Sequence, residues 1–290
     1  MICKLCPREC GFDRKNDIGA CGASDKAVVA KTMLHHWEEP VISGDCGEGS
    51  GAIFFSGCSL RCVYCQNYKI SRAMVGQALT PEQLAERMRI LEEKGAININ
   101  LVTPTHFVRE ILEALKIYRP KVPIVWNTSG YEKPETIRAL KNVVDVYLTD
   151  FKYHSPALAD EYSAAPDYFD YASRSLIEMR KNQPRDVIVD GKMVKGVLVR
   201  HLVLPSTFHD SLLILDYIKE TLGEDTYISL MNQYTPTEQV ADHPLLSRRV
   251  RPLEYKIVVE HARALGFHNG FIQDPESQTL DYTPDFPDQI

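Results

Sequence analysis

Phe54-Phe55-Ser56-Gly57-Cys58-Ser59-Leu60-Arg61-Cys62-Val63-Tyr64-Cys65-Gln66-Asn67 decides the reading of this chain. Three cysteines stand at C-x3-C-x2-C spacing, directly after the apolar run Ala52-Ile53-Phe54-Phe55. The run reads as a buried strand, and Gly57 as the point where strand gives way to loop. Cys58, Cys62 and Cys65 therefore emerge together at one strand end. Three thiolates on a tight loop hold three irons of a cubane cluster, whereas four-iron clusters usually take four cysteines. One iron is left open, as a catalytic metal site requires. The alternatives are a structural zinc loop or three unrelated thiols, but zinc sites more often pair C-x2-C units or mix in histidine.

Composition narrows the rest. With 290 residues, 44% of them hydrophobic, the chain is one large α/β domain or one domain with a small appendage. A net charge of −6 argues against a nonspecific nucleic-acid binder, which needs a basic face. No apolar run is long enough to span a bilayer, so no membrane association is expected. The start Met1-Ile2-Cys3-Lys4 lacks the basic and apolar segments of a secretory signal, and the expected location is cytoplasmic. All eight cysteines lie in the first 65 residues. In a reducing compartment such clustering favours metal over disulfides.

Cys3-x2-Cys6-Pro7-x2-Cys10-Gly11 and Gly19-Ala20-Cys21-Gly22 hold four thiols among glycines and a proline. So little apolar content builds no core, and a metal would supply the missing folding energy. Zinc or an auxiliary iron–sulfur cluster fits this second site; the plainer reading is a knob of free thiols. Cys46 reads as a lone loop thiol. In His35-His36-Trp37-Glu38-Glu39-Pro40, neighbours on an extended segment point to opposite faces, so one face packs and the other lines a site mouth.

From residue 51 strands and helices alternate. Strands are expected at 51–56, 97–102, 122–126, 144–149, 197–204 and 226–231, with helices between them. Thr80-Pro81-Glu82-Gln83 is a helix start, followed by Leu84, Met88 and Leu91 at helical spacing. Asp190-Gly191 marks a hairpin leading into the fifth strand. The alternation implies parallel pairing, as a doubly wound sheet or a partial (β/α) barrel. Polar clusters close each later strand: Thr103-Pro104-Thr105-His106, Asn127-Thr128-Ser129-Gly130, Asp150-Phe151-Lys152, Arg200-His201 within the fifth, and Asn232-Gln233. Active-site residues of such barrels sit at these ends.

The cluster stretch, with Tyr64 directly before its last cysteine, resembles the motif of the radical S-adenosylmethionine (radical SAM) superfamily. Cys-x2-Cys-Pro-Arg, His-x2-Glu-Glu-Pro, Ser-Gly-x-Ile-Phe-Phe-Ser-Gly and Cys-Gln-Asn are similar to the branch related to pyruvate formate-lyase activating enzyme, the activases of glycyl-radical enzymes. The resemblance implies an α/β fold, a partial (β/α)6 TIM-like barrel over residues 49–270. A cysteine-rich extension (1–48) precedes it and a tail (271–290) follows. It implies a 4Fe-4S cluster whose open iron binds S-adenosylmethionine, reductive cleavage to methionine and a 5′-deoxyadenosyl radical, and hydrogen abstraction from a substrate. An electron donor such as flavodoxin or ferredoxin, and a protein or small-molecule substrate, follow as partners.

Residue by residue, the resemblance assigns Lys152 and Arg200 to the carboxylate of S-adenosylmethionine. Tyr64, Thr103, Asn127, Ser129 and Asn232 join them as cofactor-binding candidates, and Thr128 with Asp150 as a candidate cation site. The sequence also departs from the pattern. Thr103-Pro104-Thr105-His106 replaces a Gly-Gly-Glu-Pro, Asn127 replaces an aspartate, and the activases' histidine after strand six has no match. Structural readings stand beside these: an ion pair for Asp150–Lys152, a salt bridge at the hairpin base for Arg200, helix capping for Asn127 and Ser129, and packing for Tyr64. Two further readings are a non-catalytic metal scaffold and a two-cluster electron-transfer protein.

Overall fold

The computed structural model describes residues 2–44, 47–274, 277–278 and 284–286. Cys46 and most of the expected tail lie outside them. The elements in chain order are β1 (Ala27–His35), α1 (Pro40–Ser43), β2 (Ser50–Phe55), α2 (Tyr68–Ala73), β3 (Gln77–Leu79), α3 (Pro81–Glu93), β4 (Ile99–Val102), a 3-10 turn (Thr105–Phe107) and α4 (Val108–Ile117). After them come β5 (Ile124–Thr128), α5 (Pro134–Ala139), β6 (Val146–Asp150), α6 (Pro156–Ser163), α7 (Tyr168–Asn182), β7 (Val187–Val189), β8 (Lys192–Leu202), α8 (Phe208–Leu222), β9 (Tyr227–Met231), α9 (Pro252–Ala264) and β10 (Gly270–Ile272).

β2, β4, β5, β6, β8, β9 and β10 pair in that order, all parallel. The six expected strands are β2, β4, β5, β6, β8 and β9, and helices cross between them as right-handed crossovers require. β7 folds back on β8 as the Asp190-Gly191 hairpin. The sheet runs from β10 to β3 without closing on itself, which is a partial barrel.

Local signals explain the elements. Thr80 Oγ1 accepts from the Gln83 amide at 3.3 Å while Gln83 Oε1 accepts from the Thr80 amide at 2.9 Å, a reciprocal cap for α3. Leu84, Met88 and Leu91 of that helix are buried against the sheet. Along β5, Ile124 and Trp126 pack outward under the helices, whereas Val125 joins an inner group with Val146, Leu148 and Leu198. Strand alternation therefore sends Asn127 inward and Thr128 outward.

The main difference from expectation lies before β2. Residues 27–35, expected within the extension, form a strand antiparallel to both β2 and β3. α1 then carries Ile42 into the inner group. The cysteine-rich part is thus confined to residues before Ala27, and the acidic pair Glu38-Glu39 is carried into the barrel.

Candidate active site

Gly57 turns the chain out of β2 with φ +85°, and a Cβ there would stand 2.4 Å from the Cys21 carbonyl oxygen. Only glycine fits this turn. The loop that follows docks on the C-terminal end of α6: the Val63 amide donates to the Tyr162 carbonyl at 2.9 Å and the Arg61 amide to the Ser163 carbonyl at 3.2 Å. Cys62 and Cys65 line a cavity of about 450 Å³, with Cys58 packed behind them. Ser163 Oγ donates to Cys62 Sγ at 2.9 Å.

Burial pushes the Cys58 thiol up, and Cys62 and Cys65 add to the rise; Cys65 is raised in the same way by burial and by Cys62. Three half-buried sulfurs this close together can all ionise only with positive charge among them, which an iron–sulfur cluster would supply. The donor set therefore fits a cluster held by Cys58, Cys62 and Cys65 with one iron left open.

Across the cavity lies a network of charges. Asp150 Oδ2 accepts from Lys152 Nζ at 2.7 Å and Oδ1 from Arg200 Nε at 2.9 Å. Arg200 also donates to Glu38 Oε2 at 2.9 Å and to Asn127 Oδ1 at 2.8 Å. Asn127 and Asn100 each donate to Glu38 Oε1 at 3.0 Å. Burial opposes the charge on Asp150, but Lys152 and Arg200 outweigh it and hold the carboxyl below its ordinary value. Lys152 is raised in turn, because Asp150 and then the thiol of Cys62 outweigh its burial. Lys152 thus carries its charge beside the cluster loop, while every donor nitrogen of Arg200 is engaged within the protein.

The other sequence candidates divide. Asn127 and Tyr64 line the cavity. Thr103 sits just past β4 with φ +58°, a left-handed conformation that is strained for a β-branched residue, and its amide donates to the Asn127 carbonyl at 2.8 Å. Ser129 presents its carbonyl to the Tyr168 hydroxyl at 2.8 Å. Asn232 points away from the cavity: its Oδ1 accepts from Gln278 at 3.0 Å, while Met231 and Gln233 face inward.

Thr128 and Asp150 are not brought together. The Thr128 hydroxyl goes to Glu132 on the outer side of the sheet, and both Asp150 oxygens go to cations. One residue along the strand changes the face, which separates the expected cation ligands. Among the described residues, no three His, Cys, Asp or Glu side chains close around a single ion. Cys10 Sγ and Cys21 Sγ nevertheless both lie 3.5 Å from the point where a Cβ on Gly19 would stand. Burial pushes Cys6 up to about 12, with Cys21 and Cys3 contributing.

The sequence reading set one face of the segment from His35 to Glu39 at a site mouth and the other against the barrel; the structure makes Glu38 a direct partner of Arg200 and buries Glu39 in the cavity wall. Burial raises the Glu39 carboxyl, and its Oε2 has no protein partner. The usable signal was the β-forming run Val28-Val29-Ala30, which makes the preceding segment a sheet strand. Glu132, fully buried and accepting from Thr105, Thr128 and Trp126, was also missed.

Residues 52–194 match the sequence model of the Radical SAM superfamily. This match, on a partly closed parallel barrel with its cysteine loop after β2, identifies residues 52–194 as a radical SAM domain. Two uncharacterized proteins of Methanocaldococcus jannaschii are similar to it. One is 29% identical over 269 residues, covering 90% of this chain and 74% of that protein, and the other 23% over 298 residues, covering 92% and 78%. Solved structures share the fold. HydG, a maturase of the FeFe-hydrogenase, gives a TM-score of 0.52 at 19% identity over 74% of this chain and 49% of its own. AdoMet-bound anSMEcpe with the Cp18Cys peptide gives 0.51 at 12% over 74% and 60%. Streptococcus suis SuiB bound to its precursor peptide SuiA gives 0.51 at 9% over 75% and 46%. The chain thus spans about half the length of these solved proteins.

Proposed function

We propose that this chain uses Cys58, Cys62 and Cys65 to hold a 4Fe-4S cluster and acts on a protein or peptide segment brought to the cavity, as a glycyl-radical activase does. When bound, the cluster and S-adenosylmethionine supply a 5′-deoxyadenosyl radical that removes a hydrogen atom from the substrate. The observation that carries the reading is the cavity itself, in which Cys62 and Cys65 face Lys152. Lys152 offers its ammonium to the cofactor carboxylate, Asp150 fixes the ammonium's position, and Tyr64 covers the cluster loop against water.

A volume of about 450 Å³ is at the low end for a drug-sized ligand, so S-adenosylmethionine fills most of it. A short protruding segment fits the remainder better than a second large molecule. The peptides held by SuiB and anSMEcpe accord with this. Modification of a small molecule is the second reading, favoured by the unpartnered Glu39 oxygen in the wall. A flavodoxin- or ferredoxin-type reductant in a reducing cytoplasm completes the proposal. Cys3, Cys6, Cys10 and Cys21 form its second metal site, zinc or iron–sulfur, beside the main loop.

The test is anaerobic incubation of the reconstituted protein with S-adenosylmethionine and a strong reductant. The reading expects 5′-deoxyadenosine from the wild type and none from Cys62→Ala. Absence of product and of S-adenosylmethionine binding in a cluster-loaded wild type would overturn it.

A further inference from the structure

Ser163, the last residue of α6, is fully buried between two partners. Its Oγ is 2.9 Å from Cys62 Sγ and 2.7 Å from the Tyr153 hydroxyl. The Tyr153 hydroxyl is in turn 2.5 Å from that of Tyr64. Each hydroxyl owns one proton. A ligating thiolate at Cys62 has none, so Ser163 must donate to it. Ser163 then has only lone pairs to offer Tyr153, which must donate to Ser163. By the same logic Tyr64 donates to Tyr153. The chain has one direction, and hydrogen bonds aligned in this way polarise one another in a buried site.

We propose that Ser163 is a positioning residue that raises the reduction potential of the cluster held at Cys62, with Tyr153 and Tyr64 keeping its hydroxyl in the donating orientation. A donor to a ligand sulfur stabilises the extra negative charge of the reduced state. The backbone holds the donor in place: the Ser163 carbonyl accepts from the Arg61 amide and from Arg8 Nη2, each at 3.2 Å. Cys65 has a weaker counterpart, since Ser71 Oγ is 3.5 Å from its sulfur and shares its reach with the Tyr68 carbonyl at 3.4 Å. Cys62 therefore receives the stronger contact. The proposal rests on the assignment of Cys62 as a cluster ligand.

The experiment is a redox titration of the reconstituted full-length protein, followed by the electron paramagnetic resonance of the reduced cluster. Ser163→Ala is expected to lower the potential, and Tyr153→Phe to lower it by less, because Ser163 remains but loses its polarising donor. In deuterated water, the reduced wild type is expected to show an exchangeable deuteron coupled to the cluster that Ser163→Ala lacks. A potential unmoved in Ser163→Ala at equal iron content overturns the proposal. If Ser163→Ala takes up no iron, Tyr153→Phe decides, and an unmoved potential there overturns it equally. A wild type with no cluster signal overturns the ligand assignment and this proposal with it, whereas a cluster with unmoved potentials overturns only the proposal.

Discussion

Lys152 Nζ stands 2.7 Å from Asp150 Oδ2, and the other oxygen of the same carboxylate holds Arg200 Nε at 2.9 Å. One anion thus serves two buried cations. Removing it in Asp150→Ala leaves Lys152 uncompensated and Arg200 with Glu38 alone, which should cost about 3 kcal/mol, read as a lower urea midpoint. Lys152→Ala leaves Asp150 paired with Arg200 and should spare the fold. It should weaken S-adenosylmethionine binding roughly tenfold, the loss of one charged hydrogen bond, as calorimetry would measure.

The same pair predicts how binding depends on pH. Asp150 is held below its ordinary value, so its contribution is present above that value and is lost only as pH falls through the lower native one. Lys152 is raised, so its contribution is present below its ordinary value and is lost only as pH rises past the higher one. Affinity for S-adenosylmethionine should stay flat across neutral pH. A fall centred near neutrality would point to a histidine instead.

Acid stability depends on His106. Burial pushes it from 6.5 to about 4, and its Nε2 lies 2.7 Å from the Ser56 carbonyl oxygen. Below pH 6.5 the unfolded chain takes a proton that the folded chain refuses until about pH 4. Stability should therefore drop by about 3 kcal/mol over that window as pH falls. The drop should be shallower in His106→Gln, compared through urea midpoints.

Much of this was legible in the sequence, for physical reasons that also mark the limit. Short apolar runs alternating with helical spacing located β2, β4, β5, β6, β8 and β9 and the helices between them, because these strands are buried on both faces. Cysteine spacing located the loop because three thiols close in sequence need no tertiary information to come near one another. Thr128 and Asp150 looked like one site because both lie at strand ends, but only the pleat shows that they face opposite sides. Glu38 was underrated because its meeting with Arg200 depends on β1 entering the sheet, a pairing that no local pattern specifies. Asn232 was misplaced toward the cavity by a single residue of register.

Gly57 offers a geometric test. A Cβ at φ +85° against the Cys21 carbonyl oxygen, 2.4 Å away, forces backbone to move. Gly57→Ala should cost about 1–3 kcal/mol and lower the iron bound per chain. Gly95 has φ +86° with open space around it, so Gly95→Ala should cost only about 1 kcal/mol and leave iron content unchanged.

Arg8 ties the cysteine-rich segment to the site. It donates to the Ser59 carbonyl at 2.8 Å, within the cysteine loop, and to the Ser163 carbonyl at 3.2 Å, at the end of α6 on which that loop docks. Arg8→Ala should destabilise the protein by about 1–3 kcal/mol and speed the loss of iron to a chelator. Elemental analysis of a Cys6→Ser, Cys21→Ser variant should show less metal than the wild type while the signal of the main cluster persists.

The central claim is that the loop of Cys58, Cys62 and Cys65 holds a cluster whose open iron faces the cavity. The most direct measurement is the electron paramagnetic resonance of the reduced, reconstituted protein with and without S-adenosylmethionine, beside Cys62→Ala. The account predicts a 4Fe-4S signal in the wild type that changes shape when S-adenosylmethionine binds, and no such response in Cys62→Ala. A wild-type signal indifferent to S-adenosylmethionine, or one that survives unchanged in Cys62→Ala, would contradict it.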